Sequence, residues 1–182
     1  MSRKPRYATN VAKAQEVILW LATRIRGIDV YHLVKAAYFA EKKHISEYGR
    51  PIVGDAYRAA PHGPLAQVIH GLLRHEPLDI LALETNGDLP FSVAVDGTFV
   101  VTASREANPR MLSSSDVEAL EHGARHVENR SFNDIKHETH VDPAYIRADG
   151  GMIDYRDMIA DDDPQRKQKR AYIEESAQDT AL

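Results

Sequence analysis

Apolar residues recur at every third or fourth position near the start of the sequence and predict an amphipathic helix within TNVAKAQEVILWLATRIRG, residues 9–27. This spacing places the apolar side chains on one face, as in a helix with one buried side. Thr9 or Asn10 can cap its start, and Gly27 can end it with a positive φ. The apolar positions are Val11, Ala14, Ile18, Leu21 and Ile25.

A second helix is predicted from Val30 to Tyr48, with Asp29 as its N-cap and Gly49 as its stop. Its middle, LVKAAYFA, is apolar on nearly all sides apart from Lys35. A helix that is apolar all round belongs inside a bundle rather than on its surface. We therefore expect this helix to be the centre of the fold.

The connection that follows, YGRPIVGDAYRAAPHGPL, is crowded with glycine, proline and polar residues. Residues 53–60 are too few to assign by periodicity and are compatible with an extended stretch. Pro64 suits the first turn of a helix, where its missing N–H needs no partner. The apolar spacing of the next residues predicts a helix that runs to about Arg74. That spacing comes from Leu65, Val68, Ile69 and Leu72.

Two β-rich runs in FSVAVDGTFVVTA predict an antiparallel hairpin over about residues 91–102. The pair Asp96-Gly97 between them is favoured in a type I′ turn. Because an isolated two-stranded ribbon is marginally stable in water, we expect this hairpin to pack against the helices or a further strand.

Helices return in the second half of the chain. Ser113 with Asp116 predicts a capping pattern for one helix, and Ser131 can cap the next, FNDIKHETH. Asp142-Pro143 is expected to start a further short turn. The predicted core face of the first of these helices consists of Val117, Leu120, Ala124 and Val127.

Together these elements predict a mainly α fold, a compact helical domain around the helix at about 30–48 with a small antiparallel β element. Residues 9–160 are expected to form this domain, preceded by a flexible N-terminus at 1–8. From Asp161 the sequence becomes charged and poor in apolar residues, so residues 161–182 are expected to form a tail, either mobile or partly helical.

The composition excludes several classes of function. A net charge of −4 gives no general attraction to phosphate backbones, so nucleic acid is not an expected partner. The absence of cysteine excludes disulfides and thiolate zinc sites and suits a reducing cytoplasm. We find no signal peptide and no run long enough to span a bilayer, so we expect a cytoplasmic protein without a membrane partner.

Nine histidines raise the question of a metal site. His122 and His126 have the i, i+4 spacing of zinc-binding helices, but helix geometry directs both away from the predicted core face, toward solvent. His137 and His140, with Glu138 and Asp142, form the polar segment HETHVD. We interpret both groups as structural and expect no catalytic residue, no metal ligand and no cofactor.

No sequence signature of an enzyme is visible. There is no G-x-S-x-G elbow, no phosphate-binding glycine loop, and no carboxylate in an apolar context that would raise its pKa. His62, set between Pro61 and Gly63, is interpreted as an architectural corner that can also border a binding surface.

Three blocks of the sequence resemble a known family, the SocA-like antitoxin or Panacea domain, which also occurs in phage-associated GepA proteins. VYHLVKAAYFAEKKHISEYGRPI is similar to the family helix KLQKLLYFA with its downstream G-x-P, and DAYRAAPHGPL to its Y-x-A…GPV signature. LSSSDVEALEHGARHVENRSFNDIKHETHVDPAY resembles the C-terminal half, and the resemblance spans roughly Val11 to Ile159. The signature positions are Tyr38, Phe39, Gly49, Pro51 and His140.

This sequence also departs from the family pattern. Ala36 and Ala37 stand where larger leucine-type residues are frequent, and Tyr145 stands where a tryptophan is frequent. The resemblance implies a helical domain with a small β element. It also implies an antitoxin of a type II toxin–antitoxin operon, bound to a protein toxin encoded by an adjacent gene. The resemblance to the founding SocA type, which delivers its toxin to the ClpXP protease, further implies a proteolytic adaptor role with a ClpXP-type protease as a second partner.

A toxin-binding protein needs an apolar patch with a polar rim, and tyrosines combine contact area with a polar end. We expect this patch along the connection from Tyr57 to Pro64 and at exposed aromatics such as Tyr7, Tyr31 and Tyr155. The predicted partner-binding residues are Tyr57, Arg58, His62, Gly63, Pro64, Tyr31 and Tyr155.

Two other functions are kept as alternatives. The first is a metal-dependent hydrolase that uses His137, His140 and Asp142, with His62 as base. The second is a transcriptional regulator, which ranks last because no helix-turn-helix with a basic recognition helix is visible in the sequence.

Overall fold

The computed structural model describes residues 4–83 and 88–179, which form helices and two small antiparallel strand pairs. This confirms a mainly α fold with a small β element. The α-helices are α1 (Val11–Arg24), α2 (Val30–Tyr48), α3 (Gln67–Leu73), α4 (Pro77–Leu81), α5 (Ser114–Val127), α6 (Phe132–His140), α7 (Pro143–Ala148) and α8 (Arg166–Asp179). The strands are β1 (Tyr57–Ala60), β2 (Gly63–Ala66), β3 (Phe91–Val93) and β4 (Val101–Ala103), and a 3-10 turn covers Tyr155–Met158.

Local capping sets the limits of the first two helices. The Asn10 side chain accepts a hydrogen bond from Lys13 N at the start of α1, which ends at Arg24, before the predicted stop at Gly27. Asp29 caps α2, and Gly49 ends it in the left-handed conformation at φ 68°. The predicted bounds of α2 are confirmed.

Helix α2 is the centre of the core and packs most extensively against α5. Every residue from Leu33 to Glu41 is buried. The two helices approach so closely at Gly123 that a Cβ there would lie 2.2 Å from the Ala36 carbonyl oxygen and 3.0 Å from Ala40 N. Small residues at positions 36, 40 and 123 therefore permit backbone-to-backbone contact.

The connection after α2 forms a hairpin rather than the start of a helix. β1 pairs with β2 in antiparallel register, with Ala60 opposite Gly63, and Gly63 takes a φ of +96°. Pro64 therefore lies in a strand, and the prediction that it opens a helix was wrong. Helix α3 begins at Gln67 because the Asp55 carboxylate accepts hydrogen bonds from Val68 N and Ile69 N, both at 2.9 Å.

The second hairpin lies in the predicted region, but its turn differs from the prediction. Phe91 pairs with Ala103 and Ala94 N donates to Val100 O at 2.8 Å, so residues 95–99 form a longer loop than a type I′ turn. Val101 N also donates to Ile28 O at 2.8 Å. This contact with the α1–α2 connection fixes the register, which Asp96-Gly97 alone does not determine.

The buried face of α5 is rotated from the predicted one. Ser113 and Asp116 form the predicted capping box, but Asp116 is buried and pairs with Lys13 at 2.7 Å. Val117 is 37% exposed, so its assignment to the core was wrong. The same rotation brings His126 toward Phe39, with ring centroids 3.9 Å apart, instead of toward solvent.

Both terminal segments pack against the helices where the structure describes them. Ile173 and Ala177 of α8 are buried, and Arg156 pairs with Glu174 at 2.5 Å. Tyr7 packs edge-on against Tyr155 at 5.1 Å. The tail is thus helical over residues 166–179. Residues 1–3 and 180–182, which belong to the predicted N-terminus and tail, lie outside the described residues.

A buried carboxylate holds the loop after α2. Glu41 is 1% exposed and accepts hydrogen bonds from Ile52 N at 2.8 Å and Gly54 N at 3.3 Å, and its Oε1 atom lies 3.0 Å from the Tyr155 hydroxyl oxygen. Burial raises the pKa of Glu41 to about 7, and burial likewise raises the pKa of Asp55 to about 6. The ionised form of Glu41 is therefore disfavoured in the folded state, and the expectation that no carboxylate lies where its pKa would be raised was wrong.

We expect Glu41→Gln to change the pH dependence of stability. Between its ordinary pKa of 4.5 and about 7, Glu41 holds a proton in the folded state but not in the unfolded state, so wild-type stability falls as pH rises. From pH 5 to pH 8, urea titrations should show the unfolding free energy of the variant gain about 2 kcal/mol relative to wild type. A difference that does not vary with pH would contradict this.

Candidate functional site

A cavity of about 670 Å³ opens beside the N-terminal half of α2. Its walls are the first turns of α2, the turn between β1 and β2, the end of α3, the β3–β4 loop and the start of α6. We call it the α2 cavity. Its volume is in the range of pockets that take a small ligand or an inserted side chain.

Exposed apolar side chains surround the opening of the α2 cavity. Val95 is 99% exposed, Phe99 is 51% exposed and Phe132 is 38% exposed, and all three line the cavity. We call these three residues the apolar rim. Tyr31 packs against Phe132 with ring centroids 4.4 Å apart, which extends the apolar surface inward. Clustered exposed aromatics of this kind are typical of a binding site.

Lys35 lies in the wall of the α2 cavity and is only 2% exposed. Its Nζ donates to the Pro64 carbonyl oxygen at 2.6 Å and lies 5.0 Å from the centre of the Tyr31 ring. Removal of the amine from water lowers the pKa of Lys35 to about 7. In the described part of the chain, no ion pair is formed by this lysine.

The other titratable groups of the cavity are mostly basic. Asp29 is the one carboxylate among the described lining residues, and it accepts from His32 Nδ1 at 2.7 Å. That hydrogen bond raises the pKa of His32. Burial, with the nearby Arg74 charge, lowers the pKa of His70. Acids and bases do not converge on one point here, as a general acid–base site would require.

Three of the predicted partner-binding residues meet at this cavity. Tyr31, His62 and Gly63 all line it, and His62 packs edge-on against Phe132 at 5.5 Å. Pro64 is buried and contributes its carbonyl oxygen to Lys35. Arg58 is exposed but is not a lining residue, and its Nε lies 3.4 Å from the Gly150 carbonyl oxygen.

The expectation that Tyr155 is exposed was wrong, and Tyr57 is also in the core. Their exposed fractions are 4% and 1%. The Tyr155 hydroxyl donates to the Asp55 carbonyl oxygen at 2.6 Å, and the Tyr57 ring packs against Tyr38 at 5.5 Å. These aromatics surround the buried carboxylate of Glu41, so neither side chain is accessible to a partner in this conformation.

Three of the signature residues lie where α2 meets the C-terminal half. The Tyr38 hydroxyl donates to Asp142 Oδ2 at 2.9 Å, and Phe39 contacts His126. Gly49 ends α2, where a Cβ would lie 2.9 Å from the ring of Tyr172 in α8. These positions thus hold separate parts of the fold together.

The remaining signature residues lie at the borders of elements. His140 stacks on Tyr145 with centroids 4.7 Å apart, and the Tyr145 hydroxyl donates to the Ala60 carbonyl oxygen at 2.9 Å. The stacked pair thereby supports the end of β1. Pro51 is partly buried in the loop after Gly49.

The residues of the hydrolase alternative have other contacts. Asp142 caps α7 through Ala144 N and also accepts from Lys42 at 2.6 Å. His140 stacks on the ring of Tyr145, and His137 is exposed. Within residues 4–83 and 88–179, no group of three or more His, Asp or Glu residues is arranged to bind a metal ion.

The sequence interpretation missed Lys35 and the apolar rim as parts of one site. A signal for Lys35 was present, because a single lysine interrupts the otherwise apolar LVKAAYFA. Val95, Phe99 and Phe132 carried no comparable signal. They come together only through packing of the β3–β4 loop and α6 beside α2.

Comparison with known proteins identifies the family to which the chain belongs. The family model described as "Antitoxin SocA-like, Panacea domain" matches residues 33–145, which include most of α2, both hairpins and helices α3 to α6. Searches of curated proteins and of solved structures found no match. In the described residues, no helix is both long and apolar enough to cross a membrane. The matched region covers more than half of the chain and its central helix, so the protein belongs to the SocA-like antitoxin family with a Panacea domain.

Proposed function

We propose that this protein is the antitoxin of a type II toxin–antitoxin system and neutralises a cognate protein toxin, encoded by an adjacent gene, by direct binding. Membership of the SocA-like antitoxin family carries this proposal. The toxin contacts the face that contains the α2 cavity and its apolar rim.

The chemistry of this face supports the choice of surface. A standard protein interface covers about 800 Å² per partner and has an apolar centre with a polar border. The apolar rim supplies such a centre, because Phe99 and Phe132 are aromatic and Val95 is almost fully exposed. The neighbouring Arg74 and His75, which line the same cavity, supply a polar border.

Neutralisation can follow either of two routes after binding. The antitoxin can occlude the active surface of the toxin, or it can deliver the toxin to a ClpXP-type protease as an adaptor. We propose occlusion as the primary effect. Toxin levels separate the two routes, since an occluded toxin accumulates in the complex, whereas a delivered toxin disappears unless the protease is deleted.

We expect Val95→Asp to weaken toxin binding at least tenfold, because it places an unpaired charge in the apolar centre of the interface. Val95 is 99% exposed, so the change leaves the core intact. The measurement is the dissociation constant of the complex with the product of the adjacent gene, together with rescue of growth on co-expression. Ile146→Asp is the matched control, since Ile146 is 57% exposed and does not line the cavity.

Two outcomes would contradict the proposal. If the adjacent product still arrests growth while the wild-type protein accumulates, the antitoxin function fails. If Ile146→Asp weakens the complex and Val95→Asp does not, the toxin binds a different face.

A further inference from the structure

The α2 cavity carries an excess of positive groups in a chain whose net charge is −4. Lys35 and Arg74 are basic, and the imidazoles of His62, His70 and His75 join them in the lining. The carboxylate of Asp29 is already paired with His32. The charge of the cavity is thus opposite to that of the chain as a whole and complements an anionic group.

Lys35 has hydrogen-bonding capacity that the described contacts do not use. An ammonium group carries three N–H donors, and the hydrogen bonds of Lys35 in the described part of the chain use one of them, to the Pro64 carbonyl oxygen. A buried ammonium without a counter-charge is unfavourable, and an opposite charge within reach relieves this cost. The Lys35 ammonium is therefore placed to form an ion pair with an anionic group of a binding partner.

We propose that the α2 cavity receives an aspartate or glutamate side chain of the toxin, whose carboxylate pairs with Lys35 while flanking apolar residues of the toxin cover the apolar rim. This inference rests on the proposed function and names the chemistry of the partner at the same surface. In such a side chain the carboxylate can reach Lys35 in the wall of the α2 cavity, while the short aliphatic stem passes the apolar rim.

The apolar rim favours an internal side chain over a chain terminus. Val95 and Phe99 belong to the β3–β4 loop, and Phe132 belongs to α6, so apolar groups border the opening from two separate segments. A side chain from within a folded partner brings apolar neighbours on both sides, whereas a C-terminal carboxylate has chain on one side only.

Binding should depend on the protonation of Lys35. A carboxylate pairs with the ammonium form, so affinity should fall at least tenfold between pH 7 and pH 9 as the amine loses its proton. Burial lowers the pKa of His70 and of His140, so these two imidazoles contribute little to the change across this interval. The titratable groups that face Lys35 or share the cavity with it are Asp29, Tyr31, His32, His62, His70, Arg74, His75 and His140.

A pair of small probes tests the cavity without the toxin. In NMR titrations of the whole protein at pH 7, 4-methylpentanoate should bind saturably and shift the resonances of residues that line the cavity. The neutral 4-methylpentanamide should bind at least tenfold more weakly. Lys35→Met should reduce binding of the acid to the level of the amide. Lys43→Met is the control, because Lys43 lies on the same helix, pairs with Glu47 and does not line the cavity.

Equal binding of acid and amide to the wild-type protein would overturn the proposal, and this comparison needs no variant. Retention of the preference in Lys35→Met would overturn it as well. Shifts located away from the cavity would have the same consequence.

A double-mutant cycle with the toxin tests the partner itself. Single replacement of toxin Asp and Glu residues by their amides should identify one position that weakens the complex at least tenfold, and this loss should vanish in the Lys35→Met background. If Val95→Asp weakens the complex but no toxin carboxylate couples to Lys35, the proposed pairing of Lys35 with a toxin carboxylate is wrong. The proposed antitoxin function would still stand. If Val95→Asp has no effect, the proposed surface itself is wrong.

Discussion

Replacing Gly123 by leucine is expected to lower the free energy of unfolding by about 4 kcal/mol, near the upper end of single-residue effects. The Cβ of any residue here would lie 2.2 Å from the Ala36 carbonyl oxygen and 3.0 Å from Ala40 N. These are backbone atoms in the middle of α2, so they cannot rotate away as a side chain would. The overlap with these atoms can be removed only if α2 and α5 move apart. That movement would open the most extensive helix contact of the fold.

Urea denaturation of a graded series provides the measurement. Gly123→Ala should cost about 2 kcal/mol, because it adds only the Cβ. Arg125→Leu introduces the same leucine on the same helix at an exposed position and should change stability by less than about 0.5 kcal/mol, since it removes only the exposed pair with Glu121. A Gly123→Leu variant as stable as Arg125→Leu would show that the two helices can separate without cost.

The elements that could be predicted are those whose limits are set by nearby residues. Asp29 and Gly49 fix both ends of α2 through their own backbone and side-chain hydrogen bonds, and the Ser113–Asp116 capping box does the same for α5. Local chemistry of this kind is present in the sequence and does not depend on the rest of the fold.

The elements that were mispredicted depend on contacts with other parts of the chain. Pro64 was assigned to a helix, yet its strand is fixed by pairing with β1 and by the Asp55 cap of α3. A type I′ turn was predicted at Asp96-Gly97, but the structure has a longer loop, because β4 also forms a hydrogen bond with the connection before α2. In both cases hydrogen bonds to residues outside the predicted element overrode a valid local preference, and for β4 the partner, Ile28, is distant in sequence.

The candidate site was predicted only in part, because the sequence does not show which tyrosines are buried. Tyr31, His62 and Gly63 were named from the sequence and line the α2 cavity, but Tyr57 and Tyr155 were named on the same grounds and lie in the core. The preference of tyrosine for interfaces does not distinguish a surface tyrosine from one whose hydroxyl bonds inside the fold. For Tyr155 that partner is the carbonyl oxygen of Asp55, 100 residues away in sequence.

Replacing Lys35 by methionine is expected to stabilise the protein by about 4 kcal/mol at pH 6.5. Below pH 7 the folded state holds the ammonium in a site that disfavours it, as the lowered pKa of about 7 against an ordinary 10.5 indicates. A shift of one pKa unit corresponds to about 1.4 kcal/mol, and the lost hydrogen bond to Pro64 O offsets about 1 kcal/mol. Methionine fills the same space without a charge, and such replacements of buried charges are often stabilising.

The sign of the pH dependence distinguishes this explanation from better packing alone. Between about pH 7 and pH 10, the folded state has released the Lys35 proton while the unfolded state retains it, so the wild-type protein gains stability as pH rises. The advantage of Lys35→Met should therefore shrink toward pH 9.5 in urea titrations, whereas Lys43→Met should stay within about 0.5 kcal/mol of wild type throughout. A destabilised Lys35→Met would contradict the lowered pKa. A stabilised variant that also loses the carboxylate preference of the α2 cavity would identify Lys35 as a residue retained for binding at the expense of stability.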